Sequence, residues 1–307
     1  MTEDPRPPLP SGASERDEAE PQEPDMPEKA PWVLVAQFFV IPLIVVILAV
    51  SVFLLFGWFS REQRSPAEYL GEVRTGSLNR RWQAAFELSK ELARDPALAR
   101  DDALFKDTLA SFEGARSEPR IRRYLALALG HFARPEAVSA LVQGLEDSDE
   151  ETRVYAALAL GSIKSTDAVA PLLGALKAET PSLRKVAAFA LGQIADPGAA
   201  SGLKVAAEDA RFDVALQAAC SLAQLGSADG LTVLHRALDR KVVGSLQEMN
   251  DDQQAEAMAN AMRALVLVRN TDSIPLLREI AKSDPSLRVR DAALRAAEAL
   301  AGPAPRH

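Results

Sequence analysis

The side chains best suited to chemistry are few: one cysteine, Cys220, and three histidines, His131, His235 and His307. No two histidines stand close enough in sequence to share a helical turn as metal ligands do. A single cysteine excludes an intrachain disulfide and a cysteine-cluster zinc site. There is no glycine-rich phosphate loop, nucleophile elbow or dinucleotide fingerprint. The expectation is therefore a non-enzymatic chain with no cofactor, no metal and no evident small-molecule substrate. One row of charged residues does recur. Arg122, Arg153 and Arg184 follow one another at intervals of 31 residues, with a lapse at Ala215. Such a row can form a bonding ladder or an anion-binding stripe.

The same interval runs through the apolar residues. Ala128, Ala159, Ala190 and Ser221 form one column. Leu129, Leu160, Leu191 and Leu222 form the next, followed by Gly130, Gly161, Gly192 and Ala223. Further on, Val138, Val169, Ala200 and Leu231 align, as do Leu141, Leu172, Leu203 and Leu234. A step of 43 recovers another copy at Ala264, Leu265, Val268, Ile274 and Leu277, so extra residues lie around Lys241 to Asp252. Partial copies begin near Arg80 and Leu287. Within one unit, Val154, Ala157, Leu158 and Leu160 have helical spacing. After a polar break, Val169, Leu172, Leu173 and Leu176 follow at i, i+3, i+4, i+7. Each unit reads as two helices, neither able to bury its stripe alone, so the copies must stack.

Units such as PRIRRYLALALGHFARPEAVSALVQGLED and EETRVYAALALGSIKSTDAVAPLLGALKA resemble HEAT repeats of the short phycobilisome-lyase type. The resemblance covers roughly residues 79–302 and is strongest over four consecutive units. It implies an all-α fold, a right-handed α-solenoid of about seven helix pairs, and a protein-binding role. Some members are chromophore lyases or their subunits, which supplies the alternative of a lyase-like subunit holding its protein substrate. Helical-repeat di-iron hydroxylases are built on His-Glu dipeptides, and none occurs here. The resemblance also implies that Arg122, Arg153 and Arg184 form a structural ladder to a carboxylate or carbonyl of the adjacent turn, with Asp147 and Asp149 as candidate acids.

Outside the repeats, residues 1–31 hold nine acids against three bases and many prolines, a composition that reads as a disordered acidic tail. Residues 32–59 carry no charge and are long enough to cross a bilayer, with Trp32 and Trp58 at the ends and Pro42 inside as a candidate kink. The acidic leader and the length exclude a cleaved signal peptide. Residues 60–78 read as a juxtamembrane connector, 79–303 as the solenoid and 304–307 as a tail. Arg61, Arg64, Arg74, Arg80 and Arg81 follow the span, against Arg16 and Lys29 before it. A single-pass protein of a bacterial inner membrane is expected, and that bias predicts its repeats in the cytoplasm.

The balance of 32 bases and 34 acids over residues 61–307 gives no basic surface, which excludes nucleic acid as a partner. The expected partners are lipid, through residues 32–59, and a protein. The expected protein-binding face lies on the second helices. Its columns run Ser139, Ala170, Ser201, Thr232; then Ala140, Pro171, Gly202, Val233; then Gln143, Gly174, Val205, Arg236. The candidate contact residues are Ser139, Gln143, Pro171, Val205, Val233 and Arg236. Cys220 aligns with Leu127, Leu158 and Phe189 and is expected in the core.

Overall fold

The computed structural model describes residues 36–59, 65–244 and 249–302. The tail 1–31, part of the connector, part of the extra segment after Lys241, and residues 304–307 with His307 lie outside the described residues. Two compact units are present. Every regular element in the described residues is helical.

The first unit is a π-helical turn, Ala36–Val40, leading into α1 (Ile41–Phe59). Pro42 is the second residue of α1 and sits at the changeover between the two helix types. Proline has no amide to donate and crowds the carbonyl four residues back, and the wider π turn accommodates both. The stretch Phe38–Leu55 has a mean hydropathy of 3.2, and none of it is buried.

The second unit is a stack. Its long first helices are α3 (Leu78–Arg94), α5 (Pro119–Phe132), α7 (Glu150–Ile163), α9 (Pro181–Ile194), α11 (Phe212–Gln224), α14 (Asp251–Leu267) and α16 (Leu287–Ala301). Each packs against the next in chain order. Between them run α4 (Asp102–Gly114), α6 (Val138–Gly144), α8 (Val169–Ala175), α10 (Ala200–Ala206), α12 (Leu231–Arg236), α13 (Arg240–Gly244) and α15 (Ile274–Ser283). The described residues thus hold six helix pairs and a last first helix. A further helix, α2 (Pro66–Thr75), buries Leu70 and Val73 and packs on α3 and α4. Residues 66–75, assigned from sequence to the connector, are therefore part of the stack.

Local chemistry sets the ends. The Asp149 carboxylate accepts the Thr152 amide at the start of α7, and Asn250 and Gln253 form a reciprocal cap on α14. Ala133, Lys164 and Ala195, one period apart, take left-handed backbone at φ 52°, 59° and 57°. That conformation ends each first helix and turns the chain back.

The stack closes through small residues. A Cβ on Gly130 would lie 2.9 Å from Ala159 Cα, and one on Gly161 would lie 2.7 Å from Ala190 Cα. The same position is Ala223 in α11 and Val266 in α14. In α16, aligning buried Ala296 and Ala297 with Ala264 and Leu265 puts exposed Glu298 there. Glycine thus holds this position in α5, α7 and α9, and larger side chains hold it in α11, α14 and α16.

These contacts fix the sign of three substitutions. Leu160 is fully buried, so Leu160→Ala should cost about 2–5 kcal/mol in urea unfolding. Gly161→Ala should cost about 1–3 kcal/mol, because the backbone of α9 occupies the space its methyl needs. Gly174 on α8 has no atom within 4 Å of its Cβ position, so Gly174→Ala should instead stabilise by about 0.5–1 kcal/mol.

Candidate functional site

On the second helices, Ser139, Ala170, Ser201 and Thr232 are exposed, and so are Gln143, Gly174, Val205 and Arg236. Val205 keeps 72% of its surface in solvent. The remaining expected column, Ala140, Pro171, Gly202 and Val233, is different. Pro171 and Gly202 are half-buried, while Ala140 and Val233 are buried, so Val233 is not a surface contact residue. Residues i and i+4 share the outer face of a helix, whereas i+1 turns about 100° toward its neighbour. A Cβ on Gly202 would meet Leu173 Cδ2 of α8 at 2.3 Å, which identifies this column as a contact between successive second helices. Arg236 lies over the Phe212 ring at 5.2 Å, and Gln143 Oε1 accepts from Arg116 at 3.3 Å.

The arginine row occupies the turns between units. Arg122 pairs with Asp147, both side chains nearly buried, and its guanidinium lies 4.7 Å from the Phe112 ring centre. Arg184 donates to Asp209 from Nε at 2.7 Å and Nη2 at 3.0 Å. Its Nη1 donates to the carbonyls of Ala178 and Glu179, both at 2.9 Å. Arg153 makes only the carbonyl half of this pattern, with Nη1 bonded to Asp147 O at 2.8 Å and Ser148 O at 3.3 Å. The other candidate acid, Asp149, bonds Arg123 at 2.8 and 2.5 Å rather than an arginine of the row.

Beyond the lapse at Ala215, Arg240 forks onto Asp284 at 3.0 and 2.7 Å and carries the pairing across the extra segment. Sequence reasoning missed Asp209, Arg240 and Asp284. The signal for Asp209 was present: Asp147 and Asp209 each stand 25 residues after an arginine of the row.

Cys220 is half-buried, as are Leu127, Leu158 and Phe189, so this column is not core. Phe189 and Cys220 instead line a cleft of about 530 Å³ between α9, α11 and α14. Burial pushes the Cys220 thiol up to about 11, which keeps it protonated at neutral pH. Burial also lowers the pKa of His131 and so favours the neutral ring. His235 Nε2 is 2.8 Å from Ser273 Oγ and ties α12 to the turn before α15. Among the described residues, no three His, Cys, Asp or Glu side chains could share a metal ion.

A second feature of the first helices was not read from sequence. Trp82, Phe86, Tyr124 and Tyr155 form a half-buried aromatic file, with ring centres 6.4, 5.1 and 6.1 Å apart along the contacts through Tyr124. Tyr124 and Tyr155 are one period apart, which was the available clue.

The turn carboxylates make stability depend on acid. The Arg123 guanidinium, followed by Thr152, holds Asp149 well below the usual carboxylate range, and Arg184 holds Asp209 below it. Each prefers its ionised form more strongly when folded. Their stabilisation is complete above the unfolded value of about 3.9 and is lost as pH falls through the lower folded value. Asp149→Asn and Asp209→Asn should each cost about 1–3 kcal/mol at pH 7 and flatten the loss of stability below about pH 4 in urea titrations. A variant with an unchanged acid limb would remove that carboxylate from the account.

Comparison with known proteins agrees with this architecture. A family model described as HEAT repeats matches residues 110–185 and 171–245. No curated protein matches the chain. Among solved structures, the chain is similar to one of the complex of CpcE and CpcF of phycocyanin lyase from Nostoc sp. PCC7120. Identity there is 21%, coverage is 76% of this chain and 86% of that one, and the TM-score is 0.54. It is also similar to a structure of Kap95p binding to RanGDP, at 15% identity over 81% of this chain and 38% of that one, with a TM-score of 0.43. A third is human deoxyhypusine hydroxylase, at 18% identity over 80% and 99% of the two chains, with a TM-score of 0.34. Within the helical stack, residues 110–245 match HEAT repeats.

Proposed function

We propose that this protein is a membrane-anchored, non-enzymatic scaffold that binds another protein along its HEAT-repeat stack. The observation that carries the binding role is the contrast between columns. Leu141, Leu172, Leu203 and Leu234 keep one chemistry and are buried, while Gln143, Gly174, Val205 and Arg236 differ in every unit and are exposed. A fixed interior under a varied exterior suits a recognition surface. The half-buried aromatic file of the first helices adds side chains that are enriched where proteins meet.

Anchoring is supported by Phe38–Leu55. A helix of this apolarity, unburied in water, forgoes on the order of tens of kcal/mol of transfer free energy, which a bilayer supplies. The arginines after the span favour a cytoplasmic stack, and a bacterial inner membrane is the location proposed for it. A right-handed superhelix is part of this reading. The lyase-subunit alternative has a likeness of fold behind it, and the varied exposed columns favour the scaffold reading over it.

Two experiments test the proposal. The chain should stay in the membrane pellet through alkaline carbonate washing, and its repeats should resist protease in intact spheroplasts; release into the supernatant would remove the anchor. Crosslinking in native membranes should capture a protein whose yield falls at least tenfold with Val205→Asp and Arg236→Glu combined, at unchanged helical content. Undiminished yield would move the contact to the aromatic side of the stack.

A further inference from the structure

The ladder has one rung without its acid. In the turn after α6, Asp147 Oδ1 accepts the amide of Asp149 at 2.8 Å while its carboxylate binds Arg122. In the turn after α10, Asp209 accepts the amide of Arg211 at 2.8 Å and binds Arg184. After α15, Asp284 accepts the amide of Ser286 at 2.9 Å and binds Arg240. Three turns thus use the same device: one carboxylate closes the turn and clamps an arginine from another element.

The turn after α8 has Ala178 at this position, and Ala178 has no carboxylate to offer either group. Arg153 is the arginine that would be clamped. Its only bonds are those from Nη1 to two carbonyls, and it has no ion pair among the described residues. The Thr180 hydroxyl is buried and without a hydrogen-bond partner among the described residues. Arg153 and Thr180 both line a cleft of about 540 Å³ whose apolar walls include Val142, Leu145, Pro171 and Leu183, with Glu146 and Glu179 also on its lining and neither ion-paired to Arg153.

We infer that this cleft binds a carboxylate supplied from outside the stack, an Asp or Glu side chain on a protein segment with apolar neighbours. The donors match the ligand. Nε and Nη2 of an arginine form the planar fork that holds Asp209 at Arg184 and Asp284 at Arg240. The Thr180 hydroxyl supplies a further donor, and the walls accept the flanking apolar side chains. The incoming acid completes the rung that the chain's own sequence omits. The inference rests on the scaffold reading only in taking the carboxylate from a protein, and it is independent of the membrane anchor.

Ala178→Asp supplies the acid internally and tests the site without any ligand. In the purified full-length chain it should raise the Tm of the repeat unit by about 2–4 °C, the shift expected for roughly one extra kcal/mol in a unit of this size. Arg153→Gln in the same background should erase that gain. A lowered Tm, or a gain indifferent to Arg153→Gln, overturns the site whatever the chain's partner is.

Binding is then read with fluorescent, acetylated and amidated hexapeptides bearing a central Glu or Asp between Leu and Val. Gln and Asn versions serve as controls, and a further set has a central Ala and a free terminal carboxylate. The acidic peptides should bind at least tenfold more tightly than the amide versions, and Ala178→Asp should weaken them at least tenfold. Binding by the free-terminus set alone keeps the carboxylate site and assigns its source to a chain end. Equal binding of acids and amides, or none in any set, overturns the inference. If the Tm result holds while every peptide fails, the rung is a purely internal device and the scaffold reading is left to its own crosslinking test.

Discussion

The repeat unit depends on how closely one first helix can lie on the next. At Gly130 and Gly161 a single added methyl would reach within 3 Å of the following helix's backbone, well inside normal contact. Because the helices meet there without side chains between them, the alanines and leucines on either side interdigitate and lose their water. Residues such as Leu129, Leu160 and Leu191 are fully buried as a result. Dispersion falls steeply with distance, so a wider spacing would forfeit contacts along each helix pair. Farther along the stack, Val266 and then an exposed Glu298 take the glycine position.

Polar groups in the turns face the opposite problem. The tightly packed turns leave carbonyls and amides where water has little access, and those groups need partners. Arginine satisfies several at once through its fork, as Arg184 does with two carbonyls and one carboxylate. The turn aspartates hold down the amides two residues on, and the Arg184 guanidinium favours the ionised form of Asp209. The ladder is therefore both a clamp between units and a set of charges whose pairing is complete in some turns and partial in the one that follows α8.

The two sides of the stack differ in what they present. The second helices show small and mixed side chains in exposed columns. The first helices show the aromatic file of Trp82, Phe86, Tyr124 and Tyr155 and, beyond α9, a cleft with Cys220 at its wall. These chemistries vary from unit to unit without disturbing the buried columns, which permits one architecture to carry a specific surface.

Much of this was written plainly in the sequence, because periodic burial imposes periodic residues. The interval of 31, the helical spacing within each half and the fully buried leucine columns follow directly from which side chains must avoid water. The uncharged stretch of residues 32–59 was equally legible from composition. The surface was not. Ser139 and Val233 sit on the same short helical segment in different units, and only packing against the neighbouring helix decides that one faces solvent and the other is covered. The column of Cys220 looked like core because its members are apolar, yet the first helices leave that side half open. The partners of the ladder were also decided by tertiary structure. Asp149 stood as near in sequence to the arginine row as Asp147, but the fold hands it to Arg123, while Arg240 reaches across the extra segment to Asp284. Repetition in the sequence records the contacts each unit must make with the next; the contacts that differ between units depend on distances that only the folded chain sets.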